Sequence, residues 1–93
     1  MNPEHILWLW EKVKEYLDWR ISTAEGKVIT LKMMQFTSWL ERKYSYYLNG
    51  FNPTHIWMLK FLRLAMLKRK GYVKGLEKKV NSNGNIKVIV RLN

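Results

Sequence analysis

Ninety-three residues support one domain around one modest core and leave little material for a catalytic cleft with its own walls. Hydrophobic residues make up 47% of the chain, enough to fold, and the lack of cysteine excludes disulfides, thiolate metal ligands and a cysteine nucleophile. The net charge of +10 is uneven: residues 1–30 hold four bases and five acids, residues 31–93 thirteen bases with only Glu41 and Glu77. A basic region beside a neutral one is the footprint of a chain that binds nucleic acid or an anionic membrane surface.

Asn2-Pro3-Glu4 is a helix start, with a capping residue, a proline suited to the first helical position and an acid at the positive end of the dipole. The helix is expected to run to about Ser22 or Thr23. Its first turns are apolar nearly all round, more than one helix can hide in a small core. Ile6, Leu7, Trp8, Leu9, Trp10, Val13 and Leu17 are therefore expected at the interface of a homodimer. Burial in the chain's own core is the alternative for Trp8, Trp10 and Trp19. The uncharged run from Ile6 to Trp10 is too short to span a bilayer, and no basic segment precedes it. No membrane association is expected, and the compartment is expected to be the cytoplasm.

Glu25-Gly26 ends the helix, and Lys27-Val28-Ile29 is a short β-branched strand. Thr30 is placed to cap a second helix from Leu31 to about Tyr44, where Leu31, Met34, Trp39 and Leu40 recur at helical spacing. Asn49-Gly50 closes that region, and Asn52-Pro53 repeats the first helix-start signal. The third helix is expected from Pro53 to about Lys70. Gly71 terminates it, and Lys68-Arg69-Lys70 suit its negative end. Lys74 to Val80 and Ile86 to Leu92 flank Asn81-Ser82-Asn83-Gly84-Asn85, which reads as a β-hairpin. The expected fold is mainly α with a small β-hairpin, one domain over 1–93, divided into a leading helix (1–23) and a basic remainder (27–93).

Three helices followed by a basic hairpin are the order of the winged helix-turn-helix family. Leu64-Ala65-Met66-Leu67-Lys68-Arg69-Lys70-Gly71-Tyr72-Val73 resembles that family's passage from recognition helix to wing: two leucines three apart, a turn glycine, then two apolar residues. The resemblance covers roughly Lys27 to Leu92 and points to its PadR-like branch. It implies that Thr54, His55, Trp57, Met58 and Lys60 on the recognition helix face the major groove. It also implies that Lys78, Lys79, Asn81, Ser82, Asn83, Asn85 and Lys87 form a wing against backbone or minor groove. Lys32, Arg42, Lys43, Ser45, Tyr46 and Tyr47 are the expected phosphate contacts. The third helix departs from the pattern. It is longer and more apolar, and Trp57, Met58 and Phe61 at helical spacing also suit a core.

Size, charge and the tryptophan-rich leading helix are similar to the small winged-helix adaptors of archaeal plasmid partition. That likeness implies a nucleoid-associated homodimer on a palindromic double-stranded DNA site. It implies further a multimer that spreads along the DNA and a ParB-like adaptor protein linked to a ParA motor. A winged-helix transcriptional repressor is the first alternative, and a protein-interaction module without a DNA role the second. Seven scattered acids supply no paired general acid and base, and no phosphate-binding loop or nucleophile motif is present, so no enzyme activity and no cofactor are expected. His5 and His55, with no cysteine and no carboxylate cluster, do not predict a metal site.

Overall fold

The elements follow in the order α1 (Pro3–Ser22), β1 (Val28–Lys32), α2 (Met33–Tyr44), α3 (Pro53–Arg69), β2 (Val73–Val80) and β3 (Ile86–Leu92). The computed structural model describes residues 3–48 and 53–93; Asn2, Asn49-Gly50 and Asn52, read above as helix punctuation, lie outside the described residues. The strands form one small antiparallel sheet in the order β1-β3-β2, so β3 is central and bonded on both sides.

The alternation along β3 dictates which side of the sheet is buried. Val88 and Val90 point inward, and β1 sends Ile29 and Leu31 to the same side. β1 is longer than the sequence suggested. Its register runs from Val28 opposite Arg91 to Lys32 opposite Lys87. Five rungs of pairing and two buried side chains outweigh the helical spacing that assigned Leu31 to the next element, so α2 begins at Met33 and Thr30 is not its cap. Lys32 takes that position, and its backbone N–H donates to Gln35 Oε1 at 3.1 Å.

Two turns position the hairpin. Gly71 has φ 88°, a left-handed conformation that strains any side-chain-bearing residue, and the Tyr72 N–H returns to Leu67 O at 3.0 Å to close the end of α3. Between β2 and β3, the Asn81 side-chain oxygen accepts from the N–H groups of Asn83 and Asn85, each at 3.0 Å, and Gly84 takes φ 79°.

The helices cover the inner face of the sheet. Leu9, Val13, Tyr16 and Leu17 from α1 join Phe36, Trp39 and Leu40 from α2, with Ile56, Trp57, Leu64 and Leu67 from α3. This corrects part of the expected dimer interface: Leu9, Val13 and Leu17 are buried in the chain's own core. Their spacing places them on one stripe of α1, and that stripe packs against α3 and α2. Ile6 and Leu7 remain exposed, Leu7 at 63%; Trp10 is half-buried. Trp8 is also half-buried, its ring centroid 4.6 Å from that of Tyr46.

Polar clamps fasten α1 to its neighbours. Arg63 on α3 grips Asp18 through Nε (3.1 Å to Oδ1) and Nη2 (2.7 Å to Oδ2). Glu15 accepts from Lys43 Nζ at 2.6 Å and from the Tyr44 hydroxyl at 2.6 Å, with Lys12 at 3.3 Å. Hydrogen bonds from Lys43 and then Tyr44 hold its carboxyl at about 2.

Candidate nucleic-acid interface

The sheet's outer face carries the most concentrated charge. The register sets Lys32 of β1 beside Lys87 of β3, and Lys87 beside Lys79 of β2. Directly paired residues share a face, so three lysines form a row across all three strands, and all three are exposed. Like charges opposite one another destabilise a sheet. The partial relief comes from Glu77, 3.8 Å from Lys79 and 3.6 Å from Arg91. From Lys78 to Asn93 the chain has no acid. Lys78, Asn81, Ser82, Asn83 and Asn85 are exposed around the same hairpin, but Lys78, paired with Val88, lies on the other face of the sheet from Lys79 and Lys87. Asn81 also has the structural task of holding the turn.

Where the lysine row meets the start of α2, a cleft of about 600 Å³ opens between the two. Lys32, Lys79 and Lys87 line it together with Met33, Met34, Val80 and Ile86 and with Asn81 and Asn85, and no acidic side chain does.

The expected recognition helix divides differently. Thr54, His55 and Met58 are exposed, and their stripe continues through Leu62 and Ala65. Trp57 and Lys60 do not belong to it: Trp57 is 5% exposed and Lys60 is fully buried, so neither reaches a groove. The spacing from Ile56 through Lys60 to Leu64 and Leu67 puts Lys60 on the core stripe, and Trp57 lies beside it.

Lys60 lies in an apolar cage. Its Nζ is 4.5 Å from the Trp57 ring centroid, 5.3 Å from that of Phe36 and 4.0 Å from Met33 Sδ. No carboxylate among the described residues pairs with it, and Arg20 adds like charge. Two ring faces favour the ammonium by about 2 kcal/mol each when desolvated. The effective cost of burying an ion is several kcal/mol even after relaxation. Burial wins, Arg20 adds to it, and the pKa of Lys60 falls to about 7.

Of the expected phosphate contacts, Lys32, Arg42, Ser45 and Tyr47 are at the surface. Lys43 is committed to Glu15. Tyr46 is half-buried against Trp8, with its hydroxyl hydrogen-bonded to His5 Nε2. Ser45 closes α2 in a left-handed conformation, φ 52°.

Sequence reasoning missed a second cleft of about 420 Å³ between α1 and α2. Arg20 donates to the Tyr16 hydroxyl and Gln35 Oε1, both at 2.9 Å, and to Thr30 O at 3.1 Å. Arg42 and the exposed Trp19 share the cleft. The i, i+4 spacing of Tyr16 and Arg20 was the available signal; the partners from β1 and α2 were not legible.

No family model, no curated protein and no solved structure matches this chain. Its architecture is therefore described by its own elements: three helices and a small three-stranded antiparallel sheet. Among the described residues, no group of three His, Asp or Glu side chains is placed to hold a metal ion, and no helix is long and apolar enough to cross a membrane.

Proposed function

We propose that this chain is a winged helix-turn-helix protein that binds double-stranded DNA through its hairpin and the two helices before it. The observation that carries the reading is the row Lys32–Lys87–Lys79 across the sheet, continued by the exposed residues of the β2–β3 turn. Like charges in register are costly alone and favourable against a line of phosphates. The element order, helix, short strand, two helices and a closing hairpin, supports the winged-helix reading. On this reading Lys78, Lys79 and Lys87 hold the backbone, Thr54, His55 and Met58 lie nearest the base edges, and no reaction is catalysed.

Exposed Ile6 and Leu7 beside half-buried Trp10 support pairing of two copies through the start of α1. A homodimer on a palindromic site, spreading outward and joined by a ParB-like adaptor on the nucleoid, is the partition form of the proposal; a repressor on one bounded operator is the other form. DNase footprinting of the DNA flanking its own gene, across a protein titration, separates them. A protected palindrome that lengthens with protein concentration supports partition, and a fixed footprint supports repression. No protection at low salt overturns DNA binding.

One observation favours a second reading. The outward stripe of α3 is apolar, with Met58 61% and Leu62 53% exposed, which suits a protein surface better than a groove. Met58→Glu with Leu62→Glu distinguishes the two. Duplex binding should collapse if α3 enters the groove and persist if α3 serves a protein partner.

A further inference from the structure

The α1–α2 cleft pairs an aromatic platform with cations, and of its residues the duplex reading uses Arg42 alone, as a phosphate contact. Trp19 presents 46% of its surface on one side. Arg20 is held in place by three hydrogen bonds, to Tyr16, Gln35 and Thr30, so its guanidinium is set before any ligand arrives. Arg42 lies one helical turn beyond Ser38, and no acidic side chain lines the cleft. Met34, 71% exposed, borders this cleft and also the lysine-lined cleft at the base of the hairpin. The two clefts therefore meet along the start of α2, with Lys32, Lys79 and Lys87 on one side of Met34 and Arg20 and Arg42 on the other.

We propose that this track binds single-stranded nucleic acid, with an unpaired base stacked on Trp19 and the adjoining phosphates on Arg20 and Arg42. A duplex keeps its bases stacked on each other and has no use for an exposed indole beside a pinned arginine. A single strand offers both a free ring face and a phosphate, and combined aromatic and cationic grooves are how such strands are held. The strand then continues over Met34 to the lysine row.

The test uses the full chain and a short fluorescein-labelled oligothymidylate, with a duplex of the same length as comparison. Trp19→Ala should weaken oligothymidylate binding roughly tenfold or more, and Trp19→Tyr should restore most of it. Arg42→Ala should lower the salt slope by about 0.7. Duplex affinity should change little in the two Trp19 variants. Thermal melts check that each is folded, and Trp19→Tyr read against Arg42→Ala keeps the test open if Trp19→Ala is not. Unchanged oligothymidylate binding by the folded variants overturns the proposal, as does failure of the native chain to bind it. A parallel loss of duplex affinity in the Trp19 variants also overturns it, because the cleft would then belong to the duplex site. Displacement of the strand by equally dilute thymidine monophosphate would reassign the cleft to a free nucleotide. Loss of duplex binding alone, with the strand retained, removes the DNA-duplex reading and leaves this one standing.

Discussion

α2 and α3 line the same core with the same kind of residue, yet they face outward with opposite chemistry. Inward, α2 presents Phe36, Trp39 and Leu40, and α3 presents Ile56, Trp57, Leu64 and Leu67. Outward, α2 sends Gln35, Ser38 and Arg42 toward a cleft that also holds Arg20, whereas α3 sends out Met58, Leu62 and Ala65. The family resemblance assigned base reading to the third helix and phosphate contacts to the second. The polar outward stripe of α2 suits that assignment, whereas Met58, Leu62 and Ala65 on α3 do not. A helix's place in the chain sets its packing; its outward residues set what it can hold.

The largest expected effect tests where α1 ends as core and begins as surface. Leu9→Ala should cost about 3 kcal/mol in urea unfolding, because it empties a fully packed site. Leu7→Ala should change stability by less than about 0.5 kcal/mol and shift any dimer toward monomer in sedimentation. Equal costs for the two would erase the division between the inner and outer stripes of α1.

Lys60 sharpens the contrast within α3. A lysine whose pKa is lowered on folding penalises the native state while it is protonated. The penalty is fully present below about 7 and relieved as pH rises toward the unfolded value near 10.4. Stability should therefore increase between about pH 7 and pH 10, by up to ~1.4 kcal/mol per pH unit from this group. Lys60→Met should stabilise the protein by roughly 2–4 kcal/mol at pH 6 and flatten that rise. A variant with an unchanged pH profile would show that the ammonium is tolerated in its aromatic cage.

The hairpin gives a smaller and purely electrostatic test. Lys78→Ala with Lys79→Ala should weaken duplex DNA binding at every sequence and reduce the salt slope by about 2. An unchanged slope would remove the wing from the interface and leave the α2 face as the place to look.

The smallest effect concerns the clamp between α1 and α2. The Glu15 carboxyl is held at about 2 by Lys43, Tyr44 and Lys12, so its contribution is present above the unfolded value near 4.3 and is lost as pH falls through about 2. Glu15→Gln should cost less than about 1 kcal/mol at pH 7, since the group is near the surface and screened. It should also lessen the loss of stability below pH 4. A steeper acid loss in the variant would place the pH-sensitive contact elsewhere.

Much of this molecule was legible in local sequence. Asn81 and Gly84 specified the hairpin turn, Gly71 the end of α3, and the alternation from Ile86 to Leu92 the central strand, because turn geometry and side-chain period are properties of a few adjacent residues. The exposed hairpin turn was legible for the same reason: the polar run from Asn81 to Asn85 has no apolar side chain to bury. Pairing decided the rest. Leu31 became strand because β3 was there to bond it. Leu9, Val13 and Leu17 became core because α3 and α2 stood opposite α1. Lys60 was buried because its helical phase placed it among Ile56, Leu64 and Leu67. Arg20 became a fixed cation only when β1 and α2 supplied acceptors. Sequence by itself determined which residues are alike in period and charge; the tertiary structure decided which face each period turned inward, since burial depends on a partner surface that no local window contains.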